Sequence, residues 1–172
     1  MIEAVFLDID GVLTDGAVYV DASGKEIKRI LFDDIDAIFE LKRAGIQIGF
    51  LTGEDTQFCQ YVRKRFRPDF FVSGCKDKLS AFKELVRDCG MDEERACYVG
   101  DSEKDIPLLR HVYYSCVPAD ADQAVKESAK VVLKSCRGKG VIKEAAKRIF
   151  RCNNGAAFDE GEELPDVCRV QG

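Results

Sequence analysis

Between Ala4 and Phe150, short apolar runs alternate with stretches whose apolar residues recur at helical spacing, and no other feature restricts the fold so strongly. Apolar runs over 4–9, 46–51, 70–72, 96–99, 112–117 and 130–133 read as buried strands. The intervals 56–66, 78–89, 103–110, 122–127 and 141–150 read as helices, as does a stretch from Asp33-Asp34, which can cap it, to about Arg43. In 78–89 the apolar positions Leu79, Phe82, Leu85 and Val86 fall on one face. Strands alternating with helices along the whole length pack as a parallel sheet covered on both sides. The expected class is α/β, a doubly wound parallel sheet.

One interval breaks the alternation. Ala17-Val-Tyr-Val20 and Glu26-Ile-Lys-Arg-Ile30 alternate as strands do, and Asp21-Ala-Ser-Gly24 between them has turn chemistry. This predicts a β-hairpin flap over about 12–32, inserted directly after the first strand. The domain is expected to span 1–150. Residues 151–172 carry Asn153-Asn-Gly-Ala-Ala, an acidic run and Pro165 without periodicity, and are expected to form a flexible tail.

A net charge of −5 argues against a nucleic-acid partner, which calls for a basic face. No apolar run approaches membrane-spanning length, and Met1-Ile-Glu lacks the basic start of a signal peptide, so a cytoplasmic protein away from membranes is expected. The eight cysteines include no Cys-x-x-Cys pair, so zinc spacing is absent. They read as small core residues or surface thiols. The single histidine, His111, sits in Leu-Leu-Arg-His-Val and reads as structural.

The chemistry begins where the first apolar run stops. Val5-Phe-Leu-Asp-Ile-Asp-Gly-Val-Leu-Thr14 ends a strand in two carboxylates one residue apart. In open parallel sheets ligands bind outside the carboxyl ends of the strands. Side chains at i and i+2 of an extended segment point the same way, so Asp8 and Asp10 are expected to face one site. Gly11 permits a sharp turn and close approach of a ligand. Two carboxylates on one face repel unless a cation or shared proton relieves them, and a hard ion such as Mg²⁺ is the simplest relief. Thr52, Lys78 and Asp101 also fall at strand ends or in the turns that follow. Acid, hydroxyl, amine and acid on four loops of one face suit a phosphate and its metal.

Asp8-Ile-Asp10-Gly-Val-Leu-Thr, Leu51-Thr52-Gly53, Asp77-Lys78-Leu and Gly100-Asp101-Ser-Glu-Lys-Asp105 resemble, in order and spacing, the four motifs of the haloacid dehalogenase superfamily of phosphatases. The hairpin, with no separate cap domain, is similar to the capless branch that includes the 3-deoxy-D-manno-octulosonate 8-phosphate phosphatases and the nine-carbon 2-keto-3-deoxy-nononate 9-phosphate phosphatases. Gly74-Cys-Lys-Asp-Lys78-Leu, Val117-Pro-Ala-Asp120-Ala and Arg137-Gly-Lys-Gly140 also look like that branch, and the likeness covers about residues 3–150. It implies a Rossmann-like sheet of the haloacid dehalogenase type and a Mg²⁺-dependent phosphatase.

In the roles the resemblance implies, Asp8 attacks phosphorus to form an aspartyl-phosphate, and Asp10 serves as general acid and then base. Asp8, the main-chain carbonyl of Asp10 and Asp101 hold Mg²⁺. Thr52 and Lys78 bind phosphoryl oxygens, and Asp105 orients Lys78 or the metal's waters. The resemblance further implies a homotetramer with shared active sites. Tyr19, Val20 and Lys25 would stand at the flap tip, and Arg137 with Lys139 would meet a sugar-acid carboxylate, against a plain turn before a helix as the alternative. The substrate is expected to be a phosphorylated 2-keto-3-deoxy sugar acid.

Two departures concern that substrate. Octulosonate phosphatases usually carry Arg after the Thr-Gly pair, whereas this chain has Thr52-Gly53-Glu54. Gly53 and Glu54 are therefore expected at the sugar, with Glu54 accepting from its hydroxyls and Arg65 balancing the charge. This leans the reading toward a nononate 9-phosphate, with the octulosonate 8-phosphate as alternative. The family's Arg-Asp-Gly stretch after the hairpin reads Asp33-Asp34-Ile35 here. A receiver domain and a catalytically idle oligomerisation module are the rivals from other classes. The first lacks the Asp-x-Asp-Gly start followed by a hairpin, and the intact acids and Lys78 argue against the second.

Overall fold

The computed structural model describes residues 1–159. In chain order the elements are β1 (Ala4–Leu7), β2 (Tyr19–Val20), β3 (Glu26–Ile27), α1 (Phe32–Arg43), β4 (Gln47–Leu51), α2 (Gln57–Phe66), β5 (Phe70–Val72) and α3 (Lys78–Cys89). There follow β6 (Ala96–Val99), α4 (Ile106–His111), β7 (Tyr114–Val117), α5 (Gln123–Lys126), β8 (Val131–Val132) and α6 (Val141–Asn153). Six strands form one sheet in the order β5-β4-β1-β6-β7-β8, with every pair parallel. The doubly wound α/β class read from the sequence is the one observed.

Alternation along β1 divides the interior. Val5 and Leu7 enter the core shared with Ile38 and Leu41 of α1, Val62 and Phe66 of α2, and Ile142 and Ile149 of α6. Ala4 and Phe6 enter the opposite core with Phe82 and Val86 of α3, Leu108 and Leu109 of α4, and Val125 of α5. The parallel register aligns Leu7 with Phe50 on one side and with Val99 on the other. The residues that follow these strands therefore emerge side by side at one edge of the sheet.

The structure differs from the sequence reading at the element ends. The first strand stops at Leu7, because Ile9–Leu13 folds into a single wide turn closed by the Thr14 amide on the Ile9 carbonyl at 3.0 Å. The flap pairs only Tyr19 with Ile27 and Val20 with Glu26, with a bridge between Thr14 and Ile30 at its base. Asp33 and Asp34 do not cap α1, whose N-cap is Leu31 with no side-chain bond. Asp34 is fully buried, and its Oδ1 accepts from the Lys143 amide at 2.9 Å. It thus serves the orphan amides at the start of α6 rather than those of its own helix. The Lys143 ammonium returns to Asp33 at 2.7 Å.

Helix α6 runs past the expected end at 150 to Asn153, whose side chain accepts from the Ile2 amide at 2.6 Å and donates to the Ile2 carbonyl at 2.9 Å. Phe158 is buried, edge-on to Tyr114 with ring centroids 5.0 Å apart. The start of the expected tail therefore packs on the domain, and its remainder, 160–172, lies outside the described residues. His111 bonds Glu93 at 3.1 Å and meets the ring of Phe82 edge-on, a structural setting. Cys59, Cys97 and Cys116 are buried free thiols and Cys89 an exposed one. Among the described residues no helix is long and apolar enough to cross a membrane.

Burial pushes the Asp34 carboxyl up to about 6, and its Oδ2 has no hydrogen-bond partner. The folded state favours the protonated form. The associated stability is present below the ordinary carboxyl range and is lost as pH rises through about 6, on the order of 2–3 kcal/mol. Asp34→Asn keeps an acceptor for the Lys143 amide and removes the charge. Thermal unfolding of this variant is expected to change less between about pH 4 and pH 7 than that of the wild type. Parallel curves for the two proteins would contradict the assignment.

Candidate active site

The carboxyl edge of the sheet opens into a cleft of about 600 Å³ whose lining includes Asp8, Asp10, Thr52, Gly53, Glu54, Lys78, Asp101 and Arg137. Asp8, the residue after β1, is 6% exposed. Its Oδ1 accepts from the Ile9 amide at 2.7 Å, and its Oδ2 lies 2.9 Å from the Lys78 ammonium. Lys78 is the first residue of α3, a helix capped by Asp77 through the Ser80 amide at 3.0 Å, so the cap fixes where the lysine enters the cleft. The same ammonium donates to Asp105 Oδ1 at 2.6 Å.

Asp105 lies beneath the cleft with no exposed surface. Its Oδ1 also accepts from the Tyr98 hydroxyl at 2.6 Å. Its Oδ2 accepts from the Asp101 and Ser102 amides, both at 2.9 Å, and from the Ser102 hydroxyl at 3.0 Å. Asp105 therefore ties the loop after β6 to Lys78. Asp101 pairs with Arg137, whose Nε donates to Oδ2 at 2.7 Å. Gly11, at φ 85°, brings bare backbone against that carboxylate, and a methyl group there would lie 2.0 Å from Asp101 Oδ2. Thr52 is buried, its amide bonded to the Val72 carbonyl at 3.0 Å, while Gly53 and Glu54 form the exposed rim.

The charges are set by burial and by one another. Burial drives Asp8 up to about 7, reinforced by Asp105 and Asp101 and offset in part by Lys78. Burial raises Asp101 too, with Arg137 working against it. For Lys78 burial favours the neutral amine, but Asp8 and Asp105 outweigh it and hold the pKa above the usual lysine range. For Asp105 burial is outweighed by Lys78, the Tyr98 hydroxyl and the Ser102 amide, which keep it below the usual carboxylate range.

Among the described residues, Asp8, Asp101 and Asp105 are the one acidic group whose candidate ligand atoms lie within 4.8 Å of one another. Asp105 takes five donors on its two oxygens and lies outside the cleft lining, whereas Asp8 and Asp101 face the cleft and are the carboxylates suited to a cation. Burial is the main reason both carboxyls are raised, a cost that a hard divalent ion would offset, and two cleft-facing carboxylates suit such an ion.

The structure brings together Asp8, Asp10, Thr52, Gly53, Glu54, Lys78 and Asp101, with Asp105 directly below. It does not bring in Arg65. That residue is in the last turn of α2, stacked over Phe39 at 5.8 Å, and lines a separate cleft with Lys42 and Tyr61. Helix α2 begins at the carboxyl edge of the sheet and rises about 1.5 Å per residue, which carries Arg65 to the far end of the domain. Lys139 is exposed and lies outside the cleft lining, whereas Arg137 lies within it on Asp101.

Three contributions escaped the sequence reading. Lys28, from the flap, is 2.7 Å from Asp10 Oδ1 and stands over the Phe58 ring at 5.4 Å. The Thr14 hydroxyl donates to the same Asp10 oxygen at 3.3 Å. Nothing in a short alternating segment distinguishes Lys28 from a solvated lysine. Tyr98 carried a usable signal, because a tyrosine in a fully apolar central strand requires a buried partner for its hydroxyl.

Residues 69–144 match the family model described as haloacid dehalogenase-like hydrolase. A 3-deoxy-D-manno-octulosonate 8-phosphate phosphatase of Haemophilus influenzae is 32% identical over 162 residues, 94% of this chain and 90% of the relative. On these grounds the chain belongs to the haloacid dehalogenase-like hydrolases. More particularly, several relatives and fold neighbours are described as octulosonate 8-phosphate phosphatases. The phosphatase of that name from Escherichia coli K12 is 29% identical over 95% of this chain and 87% of its own length. The cobalt-bound form of the Haemophilus influenzae phosphatase superposes with a TM-score of 0.83 over 89% of this chain and 90% of that one, at 32% identity. A Moraxella catarrhalis phosphatase in complex with magnesium ion, phosphate ion and KDO shares the fold, with a TM-score of 0.84 over 89% and 88% of the two chains at 23% identity.

Removing Asp105 leaves a buried lysine with one carboxylate and strands the Tyr98 hydroxyl. Asp105→Ala is expected to cost about 3–5 kcal/mol, against about 1–2 kcal/mol for Tyr98→Phe. Urea denaturation of the two variants checks the order, and a smaller loss for Asp105→Ala would contradict it.

Proposed function

We propose that the protein is a Mg²⁺-dependent phosphatase that hydrolyses the phosphate monoester of a 2-keto-3-deoxy sugar acid through an aspartyl-phosphate. The observation that carries this reading is the convergence of Asp8, Lys78 and Asp101 in one cleft over the buried Asp105. Asp8 attacks phosphorus, the bond from phosphorus to the sugar oxygen breaks, and Asp10 delivers a proton to the departing alkoxide. Asp10 then takes a proton from water, which attacks the phosphoaspartate and regenerates Asp8. Lys78 and Thr52 stabilise the phosphoryl oxygens. Lys28 holds Asp10 Oδ1 at 2.7 Å, so proton delivery from that oxygen requires the pair to open. Mg²⁺, held by Asp8, Asp101 and the Asp10 carbonyl, offsets charge between nucleophile and substrate when bound.

For the substrate, the named relatives favour the octulosonate 8-phosphate. Glu54 at the cleft rim supports the nononate 9-phosphate as the second reading, since a carboxylate there accepts from sugar hydroxyls. Arg65, over Phe39 in a separate cleft, does not balance Glu54 there. Assembly into a tetramer belongs to the same proposal. Val18, Tyr19, Val20 and Ile27 of the flap are exposed, an apolar surface that a neighbouring copy would cover.

Phosphate release from the eight- and nine-carbon esters, with Mg²⁺ and with EDTA, is the direct test. Mg²⁺-dependent turnover with preference for the eight-carbon ester is expected. Preference for the nine-carbon ester would favour the Glu54 reading, and absence of turnover with both would overturn the substrate class. Asp8→Asn is expected to abolish turnover while leaving the circular dichroism spectrum unchanged. Substantial residual activity would refute Asp8 as nucleophile.

A further inference from the structure

Arg137 is held as few surface arginines are. It sits in the loop between β8 and α6, and its side chain crosses the floor of the cleft. Nε donates to Asp101 Oδ2 at 2.7 Å, Nη2 to the Asp101 carbonyl at 2.9 Å, and Nη1 to the Asp120 carbonyl at 2.8 Å. Its own amide donates to Asp120 Oδ1 at 2.9 Å. The loops after β6 and β7 are thereby joined through one guanidinium.

The charges of the cleft floor pair off around it. Lys78 is committed to Asp8 and Asp105. Asp101 is left to Arg137, in a charge-assisted bond with geometry fixed at both ends. We infer that Arg137 is a built-in competitor for the Asp101 carboxylate, and that it sets how tightly the cleft takes a divalent cation. The inference rests on the metal-dependent reading of the site. A cation shared by Asp8 and Asp101 must take an Asp101 oxygen that Arg137 holds, or sit on a carboxylate that already carries a positive partner. Either way its binding is weakened by Arg137, and the effect is large because the carboxylate is buried. The ordinary alternative is that Arg137 only ties two loops together.

Isothermal titration of Mg²⁺ into the full chain, stripped with EDTA and free of phosphate, separates the two. Arg137→Gln removes the charge and is expected to tighten Mg²⁺ binding about tenfold. Arg137→Lys keeps the charge but loses the fork that reaches Asp120, and is expected to stay within about threefold of the wild type. A loop tie without competition would move both variants alike, so equal changes overturn the inference. Unchanged or weaker binding in Arg137→Gln also overturns it. Failure of all three proteins to bind Mg²⁺ would remove the metal-dependent reading together with the inference, whereas binding by all with equal affinity removes the inference alone.

Discussion

The arrangement of the cleft depends on one buried ion cluster, the Lys78 ammonium between Asp8 at 2.9 Å and Asp105 at 2.6 Å. Each member comes from a different crossover of the sheet. Asp8 follows the central strand, Lys78 opens α3, and Asp105 closes the turn before α4. A buried charge without a partner is strongly destabilising, so none of the three can leave without exposing the others to that cost. The cluster thus holds loops in register that the sheet alone does not touch. Tyr98 and the Asp101 and Ser102 amides extend it by occupying the remaining lone pairs of Asp105. The cluster is weak evidence for stability as such, because desolvation offsets much of its Coulombic gain. Its consequence is positional: Asp8 and Asp101 are fixed beside each other with their charge only partly compensated.

Much of this was legible before the structure. Asp8, Thr52, Lys78 and Asp101 each follow an apolar run or open a periodic segment, and parallel topology sends all such positions to one edge. The strand alternation that fixed the two cores is equally local, since Val5 and Leu7 face one way and Ala4 and Phe6 the other. What was not legible depends on contacts distant in sequence. Lys28 is within reach of Asp10 because a short flap folds back over a wide turn. Asp34 was read as a cap for its own helix and instead serves α6, 109 residues away. Arg65 was drawn into the site by nearness in sequence to Glu54, although the rise of an intervening helix removes it.

Asp10 shows how a correct reading can rest on an incomplete reason. Period-two geometry places it on the same face as Asp8 only while the chain remains extended. The strand ends at Leu7, and Asp10 lies inside the turn that follows, with ψ 122° before Gly11 at φ 85°. Its carboxylate lines the same cleft as Asp8 but is paired with the flap rather than with the acidic group. Two neighbouring acids therefore receive separate environments, one deep and paired with Lys78, the other paired with Lys28 at the base of a hairpin. Separate surroundings of this kind suit the two roles that the proposed reaction gives these carboxylates.

The closure of Asn153 on the backbone of Ile2 bears on how the chain is made. Of the six strands of the sheet, the central one is made first and is among the last to be completed. Its two edges wait for β4 and then for β6, and its amino end waits for the final turn of α6. For most of synthesis an apolar strand with open edges is present without its partners, the condition under which nascent sheets mispair. Large sequence separation between first and last contacts also slows folding after release. A central strand laid down so early makes the unfinished chain, rather than the finished fold, the stage most exposed to aggregation.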